Sequence, residues 1–421
     1  MITAALIGAG SRGLHAYGSY ALKYPHELSF VAVAEPNREK GAKFAALHEI
    51  NDTMVFDSWE EMLEKEKFCD ALLICSPDRF HYKPVIQAIK KGYNILLEKP
   101  MSPNPQETLE IAKLATEHNV LLSVCHVLRY APFYQELKSI IDQKVIGDIV
   151  SIQWNEHVGY YHQAHSFVRG NWGNSQQSSP MILQKCCHDL DLLQWIIGSE
   201  CQSVSSYGNL TYFTSENAPE GSTLRCLDGC KVEKECPYSA MKWYLHDRDE
   251  WPANVVSVHP SIDSRLKALQ EGPYGRCVYH CDNDVVDHQV INLLFEKDVT
   301  VSFTMTAFTK EICRSFRIMG TKGEIEGNDA RNELKIQHFS GKTEVIIPES
   351  VAGGHMGADT SIMRDFIERV AKKEKESLTS AIVSAHSHLM AFAAEESRLS
   401  GKTVNFQEYV ANLTKETQES K

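Results

Sequence analysis

Five short apolar runs alternate with amphipathic segments over the first 125 residues, and this alternation constrains the fold more than any other feature. The runs are nearly continuous in apolar residues and end at turn residues, as strands buried on both faces do. The segments between them repeat apolar residues at helical spacing. The pattern predicts a parallel sheet with helices on both faces, that is, a doubly wound α/β fold. The five runs are ITAALIGAG, LSFVAVAEP, ALLICSP, NILLEKP and VLLSVCH.

The pattern changes after about residue 125. Segments such as DIVSIQWNEHVG and SFRIMGTKGEIEG alternate apolar and polar residues, which predicts an open, mainly antiparallel sheet with one covered face. Because 421 residues are too many for one ordinary core, we expect two domains. The first covers 1–125 and the second, an α+β domain, covers 126–421, with a cysteine-rich inserted lobe at 214–285. Helices are expected near 185–197, 359–373 and 378–398, and a frayed end after about 410.

Charge and hydropathy exclude several classes of function. The net charge is −12, and no block of basic residues stands out, so neither nucleic acid nor an anionic membrane is an expected partner. The chain has no apolar run of the roughly 18 residues that span a bilayer. The first residues lack the pattern of a secretory signal. We therefore expect a cytoplasmic protein.

The first turn after the first apolar run reads G-x-G-x-x-G. Gly8, Gly10 and Gly13 follow a strand and open a helix, which is the context that a dinucleotide-binding fingerprint requires. Glycines let backbone amides approach a pyrophosphate, and the helix N-terminus adds partial positive charge. Ser11 and Arg12 lie within the same turn. We expect these five residues to bind a dinucleotide.

Glu35 ends the second run, 22 residues after Gly13. A carboxylate at this place suits the hydroxyls of the adenosine ribose and repels a 2′-phosphate. The sequence therefore favours NAD over NADP, although the nearby Arg38 leaves NADP open.

Two later turns sharpen this interpretation. LLICSPDRFH ends the third run and YNILLEKPM ends the fourth, so that Glu98-Lys99-Pro100 follows a strand. With the glycine fingerprint, this chain resembles the glucose–fructose oxidoreductase/inositol dehydrogenase (Gfo/Idh/MocA) family of NAD(P)-dependent oxidoreductases over its whole length. The resemblance implies that Lys99 lies between nicotinamide and substrate, where a cation can polarise a developing alkoxide or relay its proton. It also implies a lining of the nicotinamide ribose side by Ser76, Pro77, His81 and Glu98.

A second family signature falls in LQKCCHDLDLLQW. His188 matches the family's histidine, but Gln184 stands where the family usually has an aspartate, and Lys185 follows it. A lysine beside an imidazole lowers the pKa of the imidazole by charge repulsion. We predict His188 as proton acceptor and Lys185 as a substrate ligand or alternate base. A histidine that satisfies a hydrogen bond in the core is the alternative.

Candidate substrate ligands lie around the segment EHVGYYHQAHSFVRGNW. Polyol sites combine hydrogen-bonding groups with an aromatic face, and this stretch has both. A metal held by His157, His162 and His165 is a weaker alternative. The residues that we predict to contact substrate are Tyr160, His165, Arg169 and Trp172 from this stretch, Arg129 just after the fifth apolar run, and Asp189 on the same helix face as His188.

The inserted lobe contains a cysteine cluster. Cys226, Cys230 and Cys236 lie within eleven residues, and Cys277 and Cys281 follow later. The first three with Cys281, or with Cys277 as alternate, predict a four-thiolate structural zinc site. An iron–sulfur cluster is the runner-up, and free or packed thiols remain open.

Together these features predict an NAD-dependent oxidoreductase that acts on a ring hydroxyl of a sugar, glycoside or cyclitol. Two alternatives stay open. One is a glycoside hydrolase or lyase that works through a transient 3-keto sugar, and the other is a non-catalytic NAD-dependent sensor, against which the presence of Lys99 argues. The resemblance also implies a homodimer or homotetramer.

Overall fold

The computed structural model describes residues 1–419, with side chains to residue 416. Its first sheet, sheet 1, has six parallel strands in the order β3-β2-β1-β4-β5-β6. Order reverses between β1 and β4, and ligands of such sheets bind in the crevice beyond the carboxyl ends of the strands at this point. The strands are β1 (Ile2–Ile7), β2 (Leu28–Ala34), β3 (Val55–Phe56), β4 (Ala71–Ile74), β5 (Asn94–Leu97) and β6 (Leu122–Val124).

Helices cover both faces of sheet 1, as predicted. Along β1, Ala4 and Leu6 pack into one hydrophobic cluster and Ala5 and Ile7 into another, because successive side chains of a strand point to opposite faces. The predicted helix starts hold locally. The Asn104 side chain, for example, accepts a hydrogen bond from the Glu107 amide. The helices are a π-helical turn Arg12–Gly18 that continues as α1 (Ser19–Lys23), then α2 (Arg38–Leu47), α3 (Trp59–Glu64), α4 (Tyr82–Lys90) and α5 (Pro105–Glu117).

The second half folds around sheet 2, a nine-stranded sheet in the order β14-β13-β12-β11-β7-β10-β9-β8-β15. All neighbours in it are antiparallel except β7 and β10. This mixed, mostly antiparallel sheet confirms the predicted fold class. Its strands are β7 (Ile149–His157), β8 (Cys201–Asn209), β9 (His288–Phe295), β10 (Thr300–Thr306), β11 (Cys313–Gly320), β12 (Gly323–Asn328), β13 (Glu333–His338), β14 (Thr343–Ile346) and β15 (Val404–Asn405).

Helices of the second half differ from the prediction at two places. The helix expected near 185–197 begins two residues later, at Cys187, and a separate short helix that was not expected, Met181–Gln184, precedes it. The end expected to fray after about 410 is helical to Glu419, and residues 420–421 lie outside the described part. The helices are α6 (Pro132–Asp142), α7 (Tyr160–His162), which continues as a π-helical turn Gln163–Arg169, α8 (Met181–Gln184), α9 (Cys187–Ile197), α10 (Ala240–Tyr244), α11 (Ile262–Glu271), α12 (Ala358–Lys372), α13 (Ala381–Ser400) and α14 (Phe406–Glu419).

Helix α13 ties the two sheets together. It packs against α5, α9 and β8. At its centre, His388 Nε2 accepts a hydrogen bond of 3.0 Å from the Met101 amide, just after the Glu98-Lys99-Pro100 turn. That turn is therefore held between the two halves of the chain. Within the described residues, none of the helices has both the length and the apolar character that crossing a membrane demands.

Candidate active site

The glycine turn is shaped to leave one side open. Gly8 has φ +94°, and a Cβ there would lie 2.6 Å from the Ser76 nitrogen. A Cβ at Gly13 would lie 2.3 Å from the Gly8 oxygen. A Cβ at Gly10, by contrast, would meet no atom within 4 Å. Two glycines are thus required by packing, and the third borders open space at the helix N-terminus, where a pyrophosphate fits.

Glu35 lies beside the glycine turn at the end of β2. Its carboxylate accepts hydrogen bonds from the Ala9 amide (2.7 Å) and the Asn37 amide (3.0 Å). A carboxylate has about four acceptor positions, so two remain for ribose hydroxyls. Arg38, the residue that left NADP open, pairs at 2.7 Å with Asp57 on the surface.

The Arg12 guanidinium contacts three acidic or phenolic groups. Its guanidinium lies 2.6 Å from Glu98 Oε1 and 2.8 Å from Asp359 Oδ1, and Tyr17 also donates to Glu98. Burial would raise the pKa of Glu98, but the charges of Arg12 and Lys99 outweigh it and hold that pKa below its ordinary value. Glu98 is therefore a buried carboxylate anchored at the floor of the crevice.

His81 joins the two strand-ending turns that the sequence singled out. Its Nε2 is 2.7 Å from the Ser76 oxygen and its Nδ1 is 2.7 Å from the Pro100 oxygen. The turn that carries Ser76 and Pro77 therefore lies against the turn that carries Lys99. Both turns stand at the carboxyl edge of sheet 1, beside the glycine turn.

Asp78, next in this turn, is a residue that the sequence analysis missed. It is buried, and its Oδ2 accepts hydrogen bonds from Ser178 (2.8 Å), Ser179 (2.6 Å) and Gln184 (3.4 Å). The Gln184 amide, at the place of the family aspartate, is thus directed to a carboxylate of the first half. The position of Asp78 directly after Pro77, at the edge of the sheet where ligands bind, could have identified it from the sequence.

Lys99 and His188 meet at this edge. The Lys99 ammonium donates to the Gln184 carbonyl at 2.7 Å, one helical turn before His188. His188 is buried, and its Nδ1 has no hydrogen-bond partner. Burial, and then the positive charge of Lys99, lower the pKa of His188 well below its ordinary value. A neutral imidazole with a free nitrogen is a competent proton acceptor.

Two further histidines surround His188. The ring centroids of His126 and His355 lie 5.8 and 6.0 Å from that of His188. His126 is buried with both ring nitrogens unpaired, and burial lowers its pKa well below the ordinary value. His355 Nδ1 is 3.1 Å from Asp359. His126 ends the fifth apolar run, which could have identified it, whereas nothing in the sequence around His355 pointed to the site.

Lys185 is held by a buried ion-pair network. Its ammonium lies 3.0 Å from Glu156 Oε1, and Arg314 bridges Glu156 (2.8 Å) and Asp189 (2.8 Å). Burial would raise the pKa of Glu156, but the charges of Arg314 and Lys185 hold it below the ordinary value. Lys185 is therefore a charged group fixed beside the histidines, with 14% of its side chain exposed.

Two predicted substrate ligands are engaged inside the protein. Asp189 is fully buried and accepts hydrogen bonds from Arg314 and Trp154 Nε1 (2.9 Å). Arg129 is buried too, and forms a two-pronged ion pair with Asp191 at 2.6 and 2.7 Å. Neither group offers a free polar atom to a substrate in this structure.

The remaining substrate candidates line the boundary between the site and the inserted lobe. His165 is buried, bonds to Tyr244 through Nδ1 (2.9 Å) and stacks on Tyr274. Tyr160 packs edge-on against Trp243. Trp172 packs against Phe167.

Arg169 holds the lobe together. It is 1% exposed and donates to the Tyr238 oxygen (2.6 Å), the Arg276 oxygen (2.7 Å) and Cys226 Sγ (3.6 Å). Arg169 was predicted to contact substrate, but its guanidinium is bonded to residues of the lobe.

The predicted zinc site is not supported. Among the described residues, no three His, Cys, Asp or Glu side chains are grouped so that they could hold a metal ion, which also leaves the iron–sulfur and three-histidine alternatives without support. The cysteines there are free thiols. Cys226, Cys230, Cys236 and Cys277 line one small cavity. Cys281 instead donates to the Cys277 oxygen at 3.2 Å. The spacing of the cysteines in the sequence correctly indicated that the thiols lie near one another. It could not indicate where each sulfur atom points.

Comparison with known proteins agrees with this architecture. Residues 2–126 match the model of an oxidoreductase family with an NAD-binding Rossmann fold, GFO_IDH_MocA, and residues 138–406 match the C-terminal alpha/beta domain of the same family. The protein YteT of Bacillus subtilis is 23% identical over 86% of this chain and 87% of its own length.

Solved structures share the fold. A levoglucosan dehydrogenase in complex with NADH and L-sorbose superposes with a TM-score of 0.71 at 18% identity, over 96% of this chain and 98% of its own. The scyllo-inositol dehydrogenase of Lactobacillus casei, with NAD(H) and scyllo-inositol, gives 0.67 at 17% identity, over 97% and 99%. Since the two family models together cover most of the chain, this protein belongs to the GFO_IDH_MocA oxidoreductase family.

Proposed function

We propose that this protein is an NAD-dependent dehydrogenase that oxidises a ring hydroxyl of a sugar, glycoside or cyclitol. The observation that carries the proposal is the Lys99 ammonium bonded at 2.7 Å to the carbonyl of Gln184, one turn before the buried His188, at the carboxyl edge of sheet 1. A dehydrogenase needs both groups at such an edge, one to stabilise the developing alkoxide and one to accept the hydroxyl proton. The named functions of two structures with the same fold, which act on levoglucosan and scyllo-inositol, support this substrate class.

The cofactor side fits NAD. The amides of the turn from Gly8 to Gly13 would hold the pyrophosphate beside the open space at Gly10, and Glu35 would hold the adenosine ribose. Ser76, Pro77 and Glu98 would border the nicotinamide ribose. When bound, NAD supplies the acceptor for hydride, which no side chain can provide.

The chain's own residues then carry the proton chemistry. The Lys99 ammonium orients the substrate oxygen and stabilises its negative charge as the proton leaves. The neutral imidazole of His188 accepts that proton. The Lys185 ammonium, fixed by Glu156, adds a second positive charge on the substrate side. The buried wall of His126 and His188 excludes bulk water from this end.

A direct assay tests the proposal. The purified protein is mixed with NAD and, in turn, myo-inositol, scyllo-inositol, D-glucose, levoglucosan and L-sorbose, and the NADH absorbance band is followed. We expect NADH with at least one compound and a weaker response with NADP. The Lys99→Met variant, which keeps the length but removes the charge, should lose the activity. No NADH with any compound, in a protein that binds NAD, would contradict the proposed substrate class.

A further inference from the structure

An arm of the inserted lobe, residues 246–260, borders the candidate site. It runs from the end of α10 to the start of α11. Trp251 lies near its middle. The Trp251 ring centroid is 5.0 Å from that of His162 and 5.3 Å from that of His165, edge to face in both cases. The arm therefore touches the segment after β7 that faces the catalytic groups.

The same arm reaches the cofactor half of the molecule. His259 Nε2 lies 2.8 Å from Glu39 Oε1 on α2, one turn after Glu35. Asp249 acts on His15, which lies near the glycine turn. Burial and the charge of Lys43 lower the pKa of His15, and the Asp249 carboxylate raises it. The arm therefore contacts both halves of the molecule.

Trp251 leaves a large apolar surface open at this position. It is 41% exposed, although its neighbour His165 is buried. Beside it, burial and the charges of Lys185 and Lys99 lower the pKa of His162, which places His162 near those two ammonium groups. An exposed indole at this position suits a ligand with an apolar face.

We propose that Trp251 determines specificity by covering the apolar C–H face of the substrate ring. The inference rests on the proposed dehydrogenase function and deepens it. A ring carbohydrate or cyclitol carries hydroxyls on its rim and axial C–H groups on its face, and an exposed indole suits that face. The inserted lobe thus supplies the outer wall of the substrate site.

Steady-state kinetics of Trp251→Ala and Trp251→Phe test the inference, with a panel compound that the wild-type protein oxidises. Removing the ring should raise KM for the sugar about tenfold, equivalent to about 1.4 kcal/mol of binding, while KM for NAD and kcat stay within about twofold. Phenylalanine should restore KM to within about threefold of the wild-type value. Phe339→Ala is the matched control, since Phe339 is 70% exposed on the turn between β13 and β14. A sugar KM that is unchanged in Trp251→Ala would overturn the inference.

Binding separates this inference from the proposed function. If no panel compound is oxidised, saturation-transfer NMR of the NAD-loaded protein with levoglucosan and myo-inositol decides. A signal that Trp251→Ala abolishes would keep the ring-binding role while the dehydrogenase proposal fails. No signal from either compound with the wild-type protein would contradict both.

Discussion

His188 and Lys99 show how burial and charge prepare two side chains for opposite tasks. The Lys99 side chain donates a hydrogen bond to a carbonyl, and burial together with the Lys99 charge lowers the pKa of the His188 imidazole. A group that must accept a proton benefits from being neutral before the reaction. The missing aspartate at position 184 does not leave the histidine without a charged neighbour, because the charge of Lys99 acts on it.

Replacing His188 tests its role as proton acceptor. His188→Asn keeps a polar side chain of similar shape but cannot take the proton, so we expect kcat to fall by about 100- to 10,000-fold. NADH affinity, measured by fluorescence titration, should be unchanged. The surface variant His338→Asn is the control, because His338 pairs with Glu344 on sheet 2. A His188→Asn variant with kcat within about twofold of the wild-type value would rule out the role.

Two glycine substitutions distinguish the cofactor site from mere packing. At Gly10 a Cβ meets no protein atom within 4 Å, so Gly10→Ala should fold with an unchanged Tm yet weaken NADH binding about tenfold or more, because the methyl group enters the pyrophosphate space. At Gly13 a Cβ would lie 2.3 Å from the Gly8 oxygen, so Gly13→Ala should lower the Tm. Thermal unfolding and NADH titration of both variants measure this. Full NADH affinity in Gly10→Ala would place the cofactor elsewhere.

At the scale of elements, buried ion pairs join segments that are far apart in the chain. Arg129 belongs to the turn after β6, and Asp191 lies on α9; they form two hydrogen bonds in the core. Removing one partner of such a pair leaves an uncompensated buried charge. This pair therefore fixes the helix that carries His188 against sheet 1.

Breaking that pair should cost stability rather than chemistry. Asp191→Ala is expected to lower the free energy of unfolding by about 3–5 kcal/mol, because Arg129 loses its counter-charge. The double variant Arg129→Met with Asp191→Leu should regain much of this loss, since apolar groups of similar size need no partner. Denaturant unfolding of both proteins gives the comparison. A double variant as unstable as Asp191→Ala would show that packing, not charge, dominates at this position.

The sequence predicted elements where a local pattern was strong and failed where contacts are long-range. Five strands of sheet 1 follow from continuous apolar runs, whereas β3 has only two residues, Val55 and Phe56, too few for a pattern. Lys99 and His188 could be identified from flanking motifs. Asp189 looked like a substrate ligand from its helix face, but Arg314, 125 residues away, takes its carboxylate. No local pattern reveals such a partner.

In the molecule as a whole, the candidate site lies at the boundary between the two halves of the chain. The first half contributes Arg12 and Asp78, and the second contributes their partners Asp359, Ser178 and Ser179. Helix α13 packs along the same boundary. The chemistry and the cohesion of the two halves therefore depend on the same contacts. The cytoplasmic location and the homo-oligomer stay predictions.

The buried histidines make the whole fold sensitive to acid. Burial lowers the pKa of His165 and of His388 to about 3, while an unfolded histidine titrates near about 6.5. Between these values the unfolded chain binds more protons than the folded one, so stability is complete above the higher pKa and falls as the pH is lowered toward the lower one. Each of the two histidines should cost about 1.4 kcal/mol per pH unit in this window.

Unfolding measurements at a series of pH values test this expectation. The free energy of unfolding should fall as the pH drops from about 6.5 to about 5.5. In His388→Gln, which removes one titrating group, the slope should be smaller, whatever the variant's absolute stability. A wild-type stability that is flat over this interval would show that these histidines accept protons in the folded state.

The proposed reaction transfers a hydride from a substrate ring carbon to bound NAD. A panel compound with deuterium on its ring carbons, followed by mass spectrometry, tests this transfer. Each NADH formed should carry one deuterium, and the ring carbon should become a ketone. Loss of the label to solvent, or release of an aglycone without labelled NADH, would contradict it.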